Sequence, residues 1–280
     1  MRPILAAVLA GGLLLGGCTL PGGSGDGEGA DPSSPGGAPG EGASGDLAAE
    51  IDSILASWGG QAGVALAEPG AAGADGAAQV AGDLVSDVAW STSKVPIAIA
   101  SVRQTGAADA NVTAAITVSD NAAAEAMWAG LGDPATAAAA STAVLRDGGD
   151  ATTNVNAERT RPEYTAFGQT QWALPDQARF GANLTCLDGA GPVVEAMGNI
   201  AGDQRYGLGT IPGARFKGGW GPDVSGMYLV RQFGTISVHG GEVGVAIAAR
   251  PADGTYESGQ AMLTEIAAAV QRHMPAGGSC

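Results

Sequence analysis

The order of the patterned segments constrains the fold of this 280-residue chain more than any other feature. Apolar residues recur at helical spacing over Asp46–Trp58, where Asp46 is a plausible N-cap, and two strand-like segments follow, AGVALAE and AAQVAGDLVS. From Thr92 to about Asn199 the patterns are those of helices and loops. The C-terminal part then reads as three strands and an amphipathic helix, at Ala214–Trp220, Met227–Val238, Val243–Arg250 and Glu257–Arg272.

This order predicts an α/β protein of the α+β type. Consecutive strands joined by short links favour an antiparallel five-stranded sheet, flanked by the two terminal helices. The middle of the chain, about residues 92–205, is predicted to form an inserted all-helical lobe, and the whole domain to occupy residues 46–280. A cleft between two such lobes is the expected place for a small ligand.

Residues 1–17 are predicted to be a signal peptide. Arg2 provides the positive start, and the apolar run Ile4–Leu15 is too short to anchor the chain across a bilayer. The run ends in Leu-Gly-Gly-Cys, which resembles a bacterial lipobox, in which the cysteine receives lipid and becomes the mature N-terminus. The resemblance implies export and a lipid anchor at Cys18 on the outer face of the cell membrane. The alternative is an ordinary cleaved signal with an incidental cysteine.

A linker is predicted to follow the anchor, over residues 18–45. Its positions from 21 onward are Gly, Ala, Pro, Ser, Asp and Glu alone. These residues cannot bury apolar surface, so a disordered tether is expected.

Charge and composition narrow the set of partners. A net charge of −15 argues against nucleic acid as a partner, because phosphate binding needs a basic face.

Cys186 and Cys280 are the cysteines that remain if Cys18 is lipidated. An exported protein can form a disulfide from such a pair, but the sequence leaves this disulfide open. His239, in a predicted hairpin turn, and His273 are isolated, so structural roles and no metal site are expected.

The chain contains only two lysines, Lys94 and Lys217, beside 11 arginines. A buried lysine can lose its proton and an arginine effectively cannot, so two retained amines indicate chemistry that arginine cannot perform. Lys94 follows Ser91 by three residues at the start of an apolar helical run, which places hydroxyl and amine on one helix face. Burial favours the neutral amine, which can take the proton from a serine nucleophile.

Two further motifs accompany this Ser-x-x-Lys pair: Ser119-Asp120-Asn121 and Lys217-Gly218-Gly219. Each of the three motifs alone has a structural explanation. Ser-x-x-Lys can mark a helix start, Ser-Asp-Asn can be a helix N-cap, and Lys-Gly-Gly can be a solvated strand lysine followed by a bulge. Together, in this order and in these contexts, they resemble the S-x-x-K, S-D-N and K-T-G motifs of the serine β-lactamases and penicillin-binding proteins, class A β-lactamases in particular. The resemblance covers roughly Asp46 to Arg272.

The resemblance implies that fold and an acyl-enzyme on Ser91, with no cofactor and no metal. It implies catalytic roles for Lys94 as the base, Ser119 as the proton relay to the leaving nitrogen, and Lys217, which tunes the electrostatics of the cleft. It implies that Asn121, Gly219 and Trp220 bind the substrate, with Asn121 holding the amide side chain of the substrate. The backbone N–H groups of Ser91 and Trp220 would form the oxyanion hole. The substrate class would be a small molecule or a cell-wall peptide-like amide, bound by a monomer.

Two departures from the family pattern bear on activity. Gly218 replaces the threonine whose hydroxyl binds a substrate carboxylate, a loss of about 1.5–3 kcal/mol for a hydrogen bond to a charged group. Class A enzymes also have a deacylating glutamate with an asparagine four residues later. Here Glu158 and Glu163 are followed at that distance by Pro162 and Phe167. A long-lived acyl-enzyme is therefore expected, with Glu163 as a candidate for a displaced base.

The function predicted from the sequence is a lipid-anchored, extracytoplasmic serine hydrolase or acyltransferase of the penicillin-recognising type. One alternative is a β-lactamase that hydrolyses β-lactams. The other is a catalytically inactive binding lipoprotein of the cell envelope.

Overall fold

The structure, a computed structural model, describes residues 41–70 and 78–280. The predicted signal peptide, the lipidation site Cys18 and most of the predicted linker lie outside the described residues. Among the helices that are described, none is long and apolar enough to cross a membrane.

Helices and strands follow one another in the predicted order, and a short strand, Gln171–Ala173, also lies within the helical insertion. The helices are α1 (Glu41–Trp58), α2 (Lys94–Thr105), α3 (Ala110–Thr117), α4 (Asn121–Gly130), α5 (Pro134–Asp147), α6 (Leu174–Asn183), α7 (Gly191–Gly198) and α8 (Tyr256–Arg272). The strands are β1 (Gly60–Ala67), β2 (Gln79–Gly82), β3 (Ser86–Val88), β4 (Gln171–Ala173), β5 (Arg215–Pro222), β6 (Tyr228–Val238) and β7 (Gly241–Pro251).

The main sheet has five antiparallel strands in the order β2-β1-β7-β6-β5, which confirms the predicted α+β fold. Strands β6 and β7 form its central hairpin, paired from Val230↔Ala249 to Val238↔Gly241. His239 and Gly240 make the turn between them, as predicted for His239, and Gly240 has the left-handed φ of 96° that such a turn favours. The buried apolar residues of this sheet form one core with those of the helices.

The second predicted strand is shorter in the structure than in the sequence pattern. Strand β2 ends at Gly82, which has a φ of 84°, and the backbone N–H of Ala62 donates to the carboxylate of Asp83 at 3.0 Å. The chain therefore turns away from the sheet, and β3 pairs with β4 in a separate two-stranded sheet, with Ser86 opposite Ala173. This turn brings the chain to the start of the segment that contains Ser91.

One helix within the predicted helical insertion packs on the main sheet. A Cβ added to Gly181 of α6 would lie 2.5 Å from the carbonyl oxygen of Gly234, and one added to Gly244 would lie 2.0 Å from that of Ala178. Glycines on both sides therefore allow α6 to approach β6 and β7 closely. Periodicity alone did not separate this helix from its neighbours.

The terminal helices α1 and α8 lie together on the main sheet. Helix α1 begins at Glu41, so Asp46 lies inside it and is not the predicted N-cap. Glu50 of α1 forms a salt bridge with Arg272 and lies 2.9 Å from Nε2 of His273, just after α8. His273 thus takes part in a contact between the terminal helices.

The C-terminus is covalently fixed. Cys186, after α6, forms a disulfide with Cys280, and their Cα atoms are 5.5 Å apart. Gly278 also exchanges backbone hydrogen bonds with Glu242 at the start of β7, at 2.8 and 3.0 Å. The pairing that the sequence left open is therefore formed.

Candidate active site

Ser91 lies in a 3₁₀ turn, Trp90–Ser93, that runs directly into α2. Trp90 has a φ of 48°, a left-handed conformation that a large side chain adopts only where the surroundings hold it. The hydroxyl of Thr92 donates to the carbonyl of Ala89 at 2.5 Å, and that of Ser93 donates to the carbonyl of Trp90 at 2.7 Å. The turn is thus fixed by its own hydroxyls, and it leaves Ser91 half-buried at the wall of a cleft.

Lys94 is buried at the first position of α2, with 1% of its surface exposed. Its Nζ donates to the carbonyl oxygen of Ser119 at 2.6 Å, to Oδ1 of Asn121 at 2.7 Å, and to the hydroxyl of Ser119 at 3.3 Å. Burial lowers the pKa of Lys94 to about 8, against the opposing effect of the negative charge of Asp120. The amine is therefore one that loses its proton far more readily than an exposed lysine.

The predicted contact between Lys94 and Ser91 is not formed in this arrangement. Within residues 41–70 and 78–280, no hydrogen bond joins the Ser91 hydroxyl to the Lys94 amine, which is directed to the S-D-N segment instead. The amine has three hydrogens and makes two short bonds, and the 3.3 Å contact with the Ser119 hydroxyl is the longest.

Lys217 contacts the same Ser119 hydroxyl as Lys94. It lies on β5 with no exposed surface, and its Nζ donates to the hydroxyl of Ser119 at 2.9 Å and to the carbonyl of Gly218 at 2.8 Å. Burial, and then the positive charge of Lys94, holds the pKa of Lys217 well below its usual range. The only two lysines of the chain thus meet at one hydroxyl, as the three-motif resemblance implies.

The S-D-N segment is both a helix cap and part of this cluster. Asp120 caps α4, accepting from the N–H of Ala123 at 2.9 Å, and Asn121 is the first residue of that helix. Ser119, just before the cap, has a φ of 59°. The cap therefore fixes Asn121 and Ser119 on either side of Asp120, where both meet Lys94.

Strand β5 lies against the turn that contains Ser91. A Cβ added to Gly219 would lie 2.8 Å from the carbonyl oxygen of Ala89 and 2.9 Å from the backbone nitrogen of Ser91, so only glycine permits this approach. A Cβ on Gly218 would instead make ordinary contacts, at 3.6 Å to Trp220 and 3.8 Å to the hydroxyl of Tyr206. The absence of the family threonine at 218 is therefore not imposed by packing.

The cleft beside Ser91 has a volume of about 330 Å³. Its walls include Trp90, Asn121 and Trp220, together with several residues between positions 159 and 168. In the part of the chain that is described, no group of three His, Cys, Asp or Glu side chains could hold a metal ion.

The candidate displaced base lines this cleft but is engaged elsewhere. Glu163 pairs with Arg161 at 3.0 Å, and 54% of its side-chain surface is exposed. Its own backbone N–H and then the Arg161 guanidinium hold the pKa of Glu163 below its usual range. Glu158 is exposed. A second carboxylate, Glu125 of α4, also lines the cleft and pairs with Arg159 at 2.7 Å.

Sequence reasoning missed the residues that position the Ser91 turn. Arg231 of β6 is fully buried and donates to the backbone carbonyls of Asp87 and Val88 at 2.8 and 3.0 Å. It also donates to Gln177 at 2.6 Å, and Gln177 in turn donates to the hydroxyl of Thr92 at 3.0 Å. The sequence carries one signal for this residue, a lone arginine within the apolar strand pattern YLVRQFGTI. A charge inside such a strand is expected to be buried with many hydrogen-bond partners.

Fold and cluster together define a class: the chain has the fold of the serine β-lactamases and penicillin-binding proteins. It resembles the TLA-3 extended-spectrum β-lactamase with a TM-score of 0.66 at 11% identity, over 82% of this chain and 99% of that one. It resembles a β-lactamase from Sphaerobacter thermophilus DSM 20745 with a TM-score of 0.61 at 18% identity, over 83% of this chain and 98% of that one. It also resembles a class A β-lactamase from Bacteroides cellulosilyticus DSM 14838, with a TM-score of 0.65 at 13% identity, over 83% of this chain and 98% of that one. No family model and no curated protein sequence matches the chain.

Proposed function

We propose that this protein is an exported, lipid-anchored serine hydrolase or acyltransferase of the penicillin-recognising type, which acts as a monomer and forms an acyl-enzyme on Ser91. The observation that carries the proposal is the Ser119 hydroxyl, which lies 3.3 Å from the amine of Lys94 and 2.9 Å from that of Lys217, beside the cleft that Ser91 lines. A hydroxyl between two amines of lowered pKa is suited to moving protons at neutral pH.

In the first step the Ser91 oxygen attacks the substrate carbonyl carbon, and its proton passes to the neutral amine of Lys94. This requires the Lys94 amine to turn from the S-D-N segment toward Ser91, one helical turn earlier on the same chain segment. The carbonyl oxygen takes up the negative charge. The N–H groups of Ser91 and Trp220 are the expected donors to it, because Gly219 holds β5 close to the Ser91 backbone nitrogen.

In the second step the C–N bond of the substrate breaks and the nitrogen takes a proton. The proton leaves the Lys94 ammonium through the Ser119 hydroxyl, which passes its own hydrogen to the leaving nitrogen. The products are an ester on Ser91 and a free amine. Lys217 favours this transfer, because its amine donates to the Ser119 hydroxyl oxygen at 2.9 Å and leaves the hydrogen of that hydroxyl free for the leaving nitrogen.

The acyl-enzyme is then resolved slowly by water, or by an acceptor amine in an acyl transfer. The pairing of Glu163 with Arg161 supports slow hydrolysis, since an exposed carboxylate of lowered pKa is a poor general base. The substrate class is an amide without a strict need for a carboxylate, because Gly218 offers no hydroxyl to bind one.

β-Lactam turnover is the second candidate function. It is favoured by the printed titles of the solved structures that this fold resembles, which name them as β-lactamases. It requires a water-activating group, and among the carboxylates that line the cleft Glu125 and Glu163 are each paired with an arginine.

Intact-mass measurement of the full chain in detergent, incubated with penicillin G, tests both candidates. A lasting adduct in the parent that is absent from Ser91→Ala supports the proposal, with Ser101→Ala on the same helix as the matched control. Loss of the drug without a lasting adduct supports β-lactam turnover. An unchanged mass with intact drug, for penicillin and for peptide esters alike, would overturn both and leave the binding lipoprotein.

The anchor is tested separately by feeding cells an alkyne-labelled fatty acid. We expect the label on the parent chain and not on Cys18→Ser. Label on both would contradict lipidation at Cys18, and label on neither would favour an ordinary cleaved signal.

A further inference from the structure

The Lys217-Gly218-Gly219 segment offers a substrate carboxylate no side-chain donor. Gly218 has no hydroxyl, and Lys217 has no exposed surface, because its amine donates to Ser119 and to the carbonyl of Gly218. Gln232, which pairs with Gly218 across the sheet, is fully buried, and its amide is bonded to backbone groups. An anionic group of a substrate is therefore not recognised at this end of the cleft by the route that the family motif implies.

The Trp220 indole lies beside the position where the family hydroxyl would be. Alternate residues of a strand share one face, so Gly218 and Trp220 are neighbours on the same face of β5. A Cβ added to Gly218 would lie 3.6 Å from Cζ3 of Trp220. The Trp220 side chain is half-buried and lines the same cleft as Ser91. An aromatic surface is thus present where a carboxylate-binding group is absent.

Three of the four tyrosines of the chain support this indole. The ring of Tyr256 packs against Trp220 with centroids 5.4 Å apart. Tyr228 and Tyr206 pack in turn against Tyr256, with centroids 5.9 and 6.2 Å away, and the hydroxyls of Tyr206 and Tyr256 lie 3.4 Å apart. Tyr256 therefore supports the indole from within, while Trp220 still forms part of the wall of the cleft.

The charges around these rings do not favour an anion. Among the described residues, the charged side chains that line the cleft are two carboxylates and one guanidinium, of Glu125, Glu163 and Arg159. Burial raises the pKa of Tyr256, and the negative charges of Asp203 and Glu257 also raise it. A carboxylate beside Trp220 would thus be repelled, whereas an uncharged ring would meet aromatic surface.

The leaving group is the part of a substrate that lies next to Trp220, an inference that rests on the proposed function. Ser119 passes its hydrogen to the leaving nitrogen, and its oxygen lies 2.9 Å from the amine of Lys217. Three residues further along β5 is Trp220. Gly219, between them, holds the strand against Ser91, where an added Cβ would lie 2.9 Å from the Ser91 nitrogen. A leaving group that starts at Ser119 therefore extends along β5 to the indole.

We propose that Trp220 determines the specificity for the leaving group, and that this group is uncharged and carries an aromatic ring. The ring packs against the cleft side of the indole, which Tyr256 holds in place. In acylation the acyl carbon bonds to the Ser91 oxygen and its bond to the leaving nitrogen or oxygen breaks. That atom takes the hydrogen of Ser119, and the ring departs as part of an amine or an alcohol.

Three esters with the same acyl group test this proposal: the N-acetylglycyl esters of phenyllactamide, of lactamide and of phenyllactate. The acyl group has no ring, so a ring effect reports on the leaving group alone. Calorimetry uses the full chain with Ser91→Ala in detergent, which cannot form the acyl-enzyme. We expect the phenyllactamide ester to bind about tenfold more tightly than the lactamide ester and about fivefold more tightly than the phenyllactate ester. Equal affinities for the two amides, or tightest binding of phenyllactate, would overturn the proposal.

Variants at Trp220 in the same Ser91→Ala background locate the ring. Trp220→Leu should lower the preference for phenyllactamide over lactamide by at least about fivefold, and Trp220→Phe, which keeps a ring, should retain at least about half of it. Trp58→Leu is the matched control, because Trp58 at the end of α1 is also half-buried but does not line the cleft. It should change the preference by less than about twofold. An unchanged preference in Trp220→Leu, or an equal fall in the phenylalanine variant or in the control, would show that the indole does not hold the ring.

Acylation of the parent separates this proposal from the proposed function. With Ser91 intact, the rates of alcohol release should follow the same order as the affinities. A binding preference without any acyl adduct on Ser91 would contradict the proposed function and still support the aromatic subsite. Adducts that form equally fast from both amides, with equal affinities, would overturn the aromatic subsite and leave the proposed function intact.

Discussion

The hydroxyl oxygen of Ser119 lies 2.9 Å from the amine of Lys217. The same oxygen lies 3.3 Å from the amine of Lys94. A lysine ammonium only donates hydrogen bonds, whereas a hydroxyl oxygen can accept two and still donate its own hydrogen. Ser119 can therefore accept from both amines and keep its hydrogen for a third group, which in the cleft would be the leaving nitrogen of a substrate.

Removal of that hydroxyl should slow acylation of Ser91 while leaving the nucleophile in place. For Ser119→Ala we expect a fall of about 10²–10⁴ in the acylation rate, the usual contribution of a positioned acid–base group. Thr117→Ala, which loses a hydroxyl two residues earlier, should stay within about twofold. Rates come from time-resolved intact mass with penicillin G. Parent-like acylation of Ser119→Ala would contradict the relay.

The acylation rate should rise with pH around the pKa of Lys94 and level off well above it. Burial lowers the pKa of Lys94 to about 8, and only the neutral amine can accept the Ser91 proton. Measurement of the second-order acylation rate from pH 5.5 to 10 should therefore give a single rise with a midpoint near that value. Lys94→Arg should be slower by at least about a hundredfold at every pH, because arginine stays protonated. A flat profile for the parent would show that Lys94 is not the base.

The same pKa predicts how stability depends on pH. In the unfolded chain a lysine has a pKa of about 10.4, so between about pH 8 and 10.4 the unfolded state binds more protons than the folded state. The free energy of unfolding should therefore rise with pH across this window, and the destabilisation from burying Lys94 should be fully present below about pH 8. Urea unfolding at pH 7.5 and 9.5 measures the rise. We expect Lys94→Met to show a smaller rise than the parent, and an identical rise would contradict the assignment.

A threonine at position 218 should restore recognition of a carboxylate. The space beside Gly218 accepts a Cβ at ordinary contact distances, and a hydrogen bond to a charged group contributes about 1.5–3 kcal/mol. Gly218→Thr should therefore raise the acylation efficiency with penicillin G by about tenfold or more and leave that with its methyl ester within about twofold. Gly218→Val, of similar shape without the hydroxyl, is the control. An equal gain in the valine variant would mean that packing, and not the hydroxyl, is responsible.

Neutralisation of Glu163 should have little effect on the lifetime of the acyl-enzyme. Glu163 is exposed and paired with Arg161, so its loss removes no positioned base. We expect Glu163→Gln and the exposed control Glu158→Gln to change the deacylation half-life by less than about twofold. A half-life at least about tenfold longer in Glu163→Gln alone would identify Glu163 as the water-activating group.

The order of helices and strands was predictable because the periodicities of the long strands and of α8 are strong. The sequence pattern placed the three C-terminal strands with ends that differ from the observed ones by at most two residues. It could not separate β3 from β2, because the turn depends on the φ of Gly82 and on a hydrogen bond between residues 21 positions apart. The close packing of α6 on the sheet depends on glycines of two distant segments, and no local pattern reports such a contact.

The cluster around Ser119 was predictable because three short motifs mark it, and lysine is otherwise absent from the chain. The partners of Lys94 were not predictable, since the spacing of Ser91 and Lys94 gives a shared helix face but not the direction of a flexible amine. The buried network of Arg231 and Gln177 was missed for a related reason. Its partners are backbone carbonyls and a threonine hydroxyl, which leave no signature in the residue pattern.

The burial of both lysines has a practical consequence for chemistry on the protein surface. Reagents that couple to primary amines, such as N-hydroxysuccinimide esters, meet no exposed lysine side chain, because Lys94 and Lys217 are 1% and 0% exposed. Crosslinking or immobilisation through amines would thus leave both lysines of the domain unmodified as long as the domain stays folded. Modification of either lysine would report that the Ser119 cluster has opened.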